Sequence, residues 1–142
     1  MATVELSFTA LPAHVRTARL VATAVARRSG VAESLLDEVR LAVGEACSRA
    51  VEGHQKYCPA EPVRLALTDL AGRFEVEVTD TCAPDARRTG VSDSDDLPGL
   101  PAWVPAGLGI AVIEGLADEV QISTTEAGTS IRMSWPSAGS AR

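Results

Sequence analysis

The stretch "LAVGEACSRAVEGH", residues 41–54, decides the fold, because it sets one acid inside the apolar pattern of a helix. Leucine, valine and alanine recur around Glu45 at the spacing of a buried helix face, and Arg49 follows one turn later. One interpretation is an ordinary ion pair between positions i and i+4, worth about 0.3 to 0.5 kcal/mol at an exposed site. The other interpretation is that Glu45 and Arg49 line a pocket.

Periodic patterns before and after this stretch predict the first elements of the chain. The run "TVELSFTA" alternates apolar and polar residues as a half-buried strand does, and Pro12 then opens a helix that Gly30 closes. The helix that carries Glu45 should run from about Glu33 to about Lys56, where "CPAEP" stops it. The first half of the chain is therefore predicted as strand, helix, helix.

The second half contains two predicted hairpins. "VRLALTDL" and "RFEVEVTD" flank a turn at residues 71–72, and "DEVQIST" and "TSIRMSW" flank a turn at residues 126–128. A short apolar helix, "GLGIAVIEGLA", precedes the second hairpin. The order predicts an α+β protein, a two-layer sandwich of a mixed sheet with helices on one face.

Residues 81–106 separate the two hairpins and have no sustained period. They are crowded with proline, glycine, aspartate and serine, which predicts a long loop. Loops of this length in compact domains are usually functional lids or disordered, and we expect residues 83–105 to be mobile without ligand. Leu100 and Trp103 either anchor such a lid or contact a partner, and the sequence favours neither.

Length and charge exclude several classes of protein. The 142 residues fit one domain, which we expect over residues 1–136, with a flexible tail over 137–142. A net charge of -6 argues against a broad nucleic-acid surface, because phosphate binding depends on clustered lysine and arginine. No run approaches the roughly 20 apolar residues of a membrane span, and the N-terminus lacks the pattern of a secretory signal. We therefore expect a cytoplasmic protein without a membrane partner.

The three cysteines, Cys47, Cys58 and Cys82, are odd in number and far apart, without a C-x-x-C pair. This pattern predicts reduced thiols. His54 and Cys58 lie one helical turn apart, but two ligands do not close a tetrahedral zinc site. We therefore predict no metal site from these residues.

Three spaced segments carry a resemblance to a known family. "DEVRLAVGEACSRAV", "VEVTD", and "GLGIAVIEGLADEVQI" with "GTSIRMSW" follow one another between about residues 6 and 135. In this order and spacing the chain resembles the anti-sigma-factor serine kinases. The resemblance implies their Bergerat-type ATP-binding fold, which is shared with gyrase, sensor histidine kinases and a heat-shock chaperone.

The same resemblance implies a nucleotide site. It assigns to Glu45 the glutamate that activates the attacking hydroxyl, and to Asp80 the acid that bonds the adenine amino group. Thr129 matches the threonine that closes the adenine pocket. The glycine-rich turn under the phosphates corresponds to a set of three residues: Gly107, Leu108 and Gly109.

Two departures from the family pattern bear on that site. Arg49 stands where the family has an asparagine that holds magnesium, and a guanidinium cannot ligate a cation. Arg49 could instead meet phosphate oxygens directly. Cys82 and Pro84 replace the glycines that let the backbone curl around the base and ribose. We therefore expect weak ATP binding and doubt a magnesium site.

The resemblance also implies a function. It predicts a partner-switching regulator of transcription that binds a sigma factor, an anti-anti-sigma protein of the STAS type, or both. Homodimers are common among such proteins, so a homodimer is the expectation by resemblance. Because of Arg49, we expect weakened or lost serine kinase activity. The alternative is an active kinase that phosphorylates an anti-anti-sigma factor with ATP.

Overall fold

The computed structural model describes residues 2–82, 108–126 and 128–138. Five strands and three α-helices alternate along this part of the chain, with a 3-10 turn at Glu33–Leu35 before the second helix. Their bounds are β1 Ala2–Phe8, α1 Pro12–Arg28, α2 Leu36–Tyr57, β2 Val63–Leu70, β3 Arg73–Asp80, α3 Leu108–Leu116, β4 Glu119–Thr125 and β5 Gly128–Pro136. The predicted order of elements is confirmed.

The ends of α1 follow the sequence signals. Pro12 occupies the first helical turn, where its missing N–H would have no partner. At the other end the Gly30 N–H donates to the carbonyl of Arg27 (3.1 Å), and the Val31 N–H donates to that of Ala26 (3.0 Å). These two bonds satisfy the last carbonyls of the helix and turn the chain back towards α2.

The five strands form one sheet in the order β1-β2-β3-β5-β4. All four neighbouring pairs are antiparallel, so the α+β sandwich is confirmed but the predicted mixed sheet is corrected. The reason is topological. The long connection after β3 leads first to the edge strand β4, and the following hairpin reverses the chain into β5, which pairs with β3.

The core lies between the inner face of the sheet and the helices. Phe74 and Trp135 are paired across β3 and β5 and are both buried, as are Val76 and Met133. On the helical side, α1 packs against α2, which in turn lies on β2 and β3. Only small residues of α1 are fully buried there, at the positions Ala18, Ala22 and Ala26, which lets the two helices approach closely.

Several expectations from the sequence lie outside the described residues. They include the lid at residues 83–105 with Leu100 and Trp103, the position of Gly107, and most of the tail. The first residues after β5 are described: the Ser137 N–H donates to the Gly72 carbonyl and the Ala138 N–H to the Gly30 carbonyl, both at 3.0 Å. None of the helices in the described ranges is long and apolar enough to cross a membrane.

Candidate functional site

A cleft opens where α2 faces the ends of β3 and β5. Its volume is about 40 Å³. The strand register places Asp80 directly opposite Thr129, and Arg49 reaches the same cleft from α2. Among the described residues, the cleft is lined by Ala46, Arg49, Ala50, Val78, Asp80, Thr129 and Ile131. Three of the residues singled out from the sequence therefore share one cleft. They are far apart along the chain: Asp80 lies 31 positions after Arg49, and Thr129 lies 80 positions after Arg49.

Asp80 is buried, with 6% of its surface exposed, and its orientation is fixed by contacts to one oxygen. The Cys82 N–H donates to Asp80 Oδ1 at 2.7 Å, and His54 Nε2 lies 3.0 Å from the same oxygen. A carboxylate at the end of a strand is held in this way by its own chain two residues later and by the neighbouring helix.

His54 contacts Asp80 beside the cleft, and the sequence did not reveal this contact. Its side chain is fully buried, and its Nδ1 donates to the Glu61 carbonyl at 2.9 Å, since a carbonyl can only accept. The Thr81 N–H donates to Nε2 at 3.0 Å, so both ring nitrogens are used. From the sequence, His54 was discussed only as a candidate metal ligand together with Cys58. One signal was available: position 54 continues the i, i+4 spacing of Ala46 and Ala50, the two alanines of the cleft.

Glu45 lies one turn before Arg49 on α2 and outside the lining of the cleft. It is half-buried, and its Oε1 is buried without a hydrogen-bond partner among the described residues. Burial raises the pKa of the Glu45 carboxyl; the charge of Arg49 lowers it in part, and that of Glu52 raises it further. Glu45 is thus a carboxyl with a raised proton affinity beside a cationic side chain.

The glycine-rich segment is only partly described. Leu108 and Gly109 form the first residues of α3, which packs against α2, and nothing is described of the Leu108 side chain. Gly107 lies outside the described ranges. A helix that begins here presents unpaired N–H groups, which is the feature that attracts phosphate oxygens in such a turn.

The prediction of three reduced thiols is wrong for two of them. Cys58 and Cys82 form a disulfide, with their Cα atoms 5.8 Å apart, whereas Cys47 is a free, buried thiol. The pairing depends on tertiary structure, because the end of α2 meets the end of β3, and sequence spacing does not reveal that meeting. Burial raises the pKa of the Cys47 thiol to about 12. Within the described ranges, no group of three or more metal-ligating side chains comes together.

Comparisons with known proteins agree with this fold. A family model, the histidine kinase-like ATPase domain, matches residues 8–135. The chain is 28% identical over 135 residues to the serine-protein kinase RsbW of Bacillus subtilis. The alignment covers 92% of this chain and 82% of that protein. It is 27% identical to the serine-protein kinase RsbW of Halalkalibacterium halodurans, over 84% of this chain and 75% of that protein.

A solved structure shows the same fold. The crystal structure of the RsbU and RsbW domains of a Mycobacterium tuberculosis protein superimposes with a TM-score of 0.65 at 18% identity and covers 94% of this chain. The chain spans 32% of that solved chain. The resemblance inferred from the three sequence segments is thereby confirmed. Since the family model covers nearly the whole sequence and the architecture agrees, the chain belongs to the histidine kinase-like ATPase domain family.

Proposed function

We propose that this protein is a cytoplasmic, partner-switching regulator of transcription that binds a sigma factor, a STAS-type anti-anti-sigma protein, or both. Its ATP-dependent serine kinase activity is weak or lost. Similarity to serine-protein kinases RsbW over 92% of the chain supports the regulatory role. The observation that carries the loss of activity is Arg49, which lies in the cleft with Asp80 and Thr129. Residues 1–136 would form the regulatory domain and 137–142 a tail, in a homodimer.

Adenine recognition is proposed for Asp80 and Thr129. A carboxylate accepts the adenine amino group, and Asp80 is buried at the end of a strand with its orientation fixed. Ligand pockets have volumes of roughly 300 to 1,000 Å³, however, whereas this cleft measures about 40 Å³. A nucleotide therefore requires the cleft to widen, and the free energy of that opening weakens binding.

Phosphate contacts are proposed for Arg49 and for the start of α3 at Leu108 and Gly109, with Gly107 before it. Arg49 carries five N–H donors and a permanent positive charge, which suit phosphate oxygens and not a divalent cation. The residues therefore fit a nucleotide better than they fit magnesium. Phosphoryl transfer in related enzymes relies on a metal that neutralises phosphate charge, and Arg49 supplies the charge without that coordination.

The active-kinase alternative has one observation in its favour. The buried Oε1 of Glu45 has no hydrogen-bond partner among the described residues and suits the acceptance of a proton from a serine hydroxyl. Burial raises the pKa of Glu45, which brings its proton affinity closer to that of a general base at neutral pH. If the kinase is active, Glu45 is the residue that would accept the hydroxyl proton.

Two measurements on the purified protein test the proposal. Incubation with a STAS-type protein and γ-labelled ATP should give a stable complex and no detectable phosphate on the partner. Calorimetric titration with ATP should give weak binding that changes little when magnesium is added. Tight, strictly magnesium-dependent binding together with phosphate on a partner serine would establish the active kinase instead.

Arg49→Asn supplies the decisive variant, because it restores an amide oxygen at the position where the family holds magnesium. We expect ATP binding by this variant to become magnesium-dependent. Arg40→Asn is the matched control: Arg40 lies on the same helix, is exposed, and donates to Asp37 at 2.8 Å outside the cleft. The control should bind ATP like the natural sequence. An equal effect of both variants would show that net charge, and not the position of Arg49, determines the magnesium response.

A further inference from the structure

The ends of α2 and β3 are joined by two kinds of link. One is a set of contacts around His54 and Asp80: His54 Nε2 lies 3.0 Å from Asp80 Oδ1 and accepts the Thr81 N–H at 3.0 Å, and Oδ1 accepts the Cys82 N–H at 2.7 Å. The other is the disulfide between Cys58, which caps α2, and Cys82, two residues beyond β3. A covalent bond and a hydrogen-bond network therefore constrain the same junction.

Each cysteine is bonded through its backbone to one member of the buried contact. The Cys82 N–H donates to Asp80 Oδ1 at 2.7 Å, and the Cys58 N–H donates to the His54 carbonyl at 2.8 Å. The disulfide thus closes a ring around the His54–Asp80 contact. Any movement of Cys82 away from α2 changes the donor on which the orientation of Asp80 depends.

We propose that Cys58 and Cys82 form a redox modification site that exchanges with a low-molecular-weight thiol, and that its state sets how firmly Asp80 is held. This site goes beyond the regulatory role proposed above; its effect on nucleotide affinity and its interpretation as a switch rest on the nucleotide site and the cytoplasmic location proposed there. In the oxidised protein Asp80 is held by both links. In the reduced protein only the hydrogen bonds remain.

The exchange has a definite direction of attack. Cys58 is half-buried, whereas Cys82 is 2% exposed, so we expect an incoming thiolate to attack the sulfur of the more exposed residue, Cys58. It forms a mixed disulfide there and displaces Cys82 as a thiolate, which then takes up a proton. A second thiol releases Cys58. In total, two external thiols become one disulfide and the protein gains two electrons and two protons; an external disulfide reverses the reaction.

Cys47 provides an internal comparison. It is fully buried in α2, and burial raises the pKa of its thiol to about 12, so the reactive thiolate is scarce at neutral pH. Disulfides in cytoplasmic proteins are usually transient, catalytic or redox-sensing. A disulfide next to a buried carboxylate in a protein of that compartment therefore fits a switch better than a permanent structural link.

The first experiment measures the chemistry without any nucleotide. The full chain is equilibrated in mixtures of reduced and oxidised glutathione and alkylated, and peptides are analysed by mass spectrometry. Cys58 and Cys82 should become alkylated together in one two-electron transition, while Cys47 stays unmodified until the protein unfolds. Full alkylation of Cys58 and Cys82 in every mixture, or separate transitions for the two, would overturn the site.

The second experiment measures the effect on Asp80. Hydrogen exchange of the Thr81 and Cys82 N–H groups should be at least about tenfold faster in the reduced protein, whereas the Val31 N–H at the end of α1 should not change. Cys58→Ser should behave like the reduced protein in both buffers. If that variant does not fold, reduction of the natural protein still tests the prediction. Equal exchange in both redox states would overturn the control of Asp80.

Titration with ADP in the two redox states separates this inference from the proposed function. Different ADP affinities in the two states would support both. Faster exchange of Thr81 and Cys82 on reduction, without ADP binding in either state, would support the redox site and overturn the adenine-binding role of Asp80. Unchanged exchange with clear ADP binding would do the opposite.

Discussion

Two hairpin glycines provide a matched test of the close approach on which the candidate site depends. Gly128 begins β5 with φ +142°, and a Cβ there would overlap the carbonyl oxygen of Asp80 and lie 2.8 Å from its carbonyl carbon. Gly72 turns from β2 to β3 with φ +77°, and a Cβ there would meet nothing within 4 Å. Both positions disfavour side chains through φ, but only Gly128 has backbone in the way.

The two substitutions to alanine should therefore differ in cost. Gly72→Ala should lower the unfolding free energy by about 1 to 2 kcal/mol, because alanine disfavours the positive φ at this position. Gly128→Ala adds the displacement of packed backbone, about 1 to 3 kcal/mol more, because both clashing atoms belong to the main chain of Asp80. At roughly 3 °C per kcal/mol for a chain of this size, Gly128→Ala should lower the Tm by about 6 to 15 °C.

Urea unfolding of both variants and the natural sequence measures the difference. Equal slopes against urea would show that the loss belongs to the folded state. In Gly128→Ala the Cys82 N–H, which depends on Asp80, should also exchange faster, whereas Gly72→Ala should leave it unchanged. Equal losses of stability in the two variants would refute the close approach of Gly128 to Asp80.

Three further outcomes are expected. Glu45→Gln should abolish a pH dependence of stability: because the folded pKa of Glu45 is raised, its contribution is fully present below the ordinary value of 4.5 and lost as pH rises through the raised pKa. The natural sequence should therefore lose stability relative to Glu45→Gln as the pH rises above 4.5, and parallel urea midpoints would contradict this. Glu45→Ala should still form the complex with an anti-anti-sigma or sigma protein in calorimetry, because recognition would use outer surfaces; a lost complex with an intact fold would place Glu45 in the interface. Gly115→Ala should raise the unfolding free energy by about 0.5 to 1 kcal/mol, since a Cβ in this exposed helical position meets nothing within 4 Å; a lower thermal midpoint would contradict it.

Local periodicity was sufficient to predict most of the fold. The alternation of Phe74, Val76 and Val78 predicted a strand with one buried face, and all three are buried. The direction of strand pairing was not predictable in the same way, because it depends on where the long connection after β3 leads. Periodicity identifies a strand and its buried face, but it contains no information about the neighbour across the sheet.

The candidate site likewise has a part that the sequence could predict and a part that it could not. Asp80 and Thr129 could be named from motifs, and the register of β3 with β5 places them opposite each other. The contact of His54 with Asp80 and the disulfide of Cys58 with Cys82 join residues that are 26 and 24 positions apart. Only the packing of the end of α2 against the end of β3 brings these pairs together, so the spacing that places His54 on the helix face of Ala46 and Ala50 could not have predicted its partner.

The two departures from the family pattern lie at different places, which makes their combined effect testable: Arg49 lines the cleft, whereas Cys82 lies outside its lining and contacts Asp80. Arg49 bears on the metal, whereas Cys82 constrains Asp80, since its N–H donates to Asp80 Oδ1 and its sulfur is bonded to Cys58. Arg49→Asn alone should therefore change the magnesium dependence of ATP binding but leave the affinity weak. Arg49→Asn in reducing buffer should bind ATP more tightly than the sum of the two separate changes in binding free energy predicts, because metal coordination and cleft opening are then both available. Calorimetric titrations of the natural sequence and of Arg49→Asn, each oxidised and reduced, form a complete cycle. Strictly additive effects on binding free energy would show that the cleft does not have to open before the metal contributes.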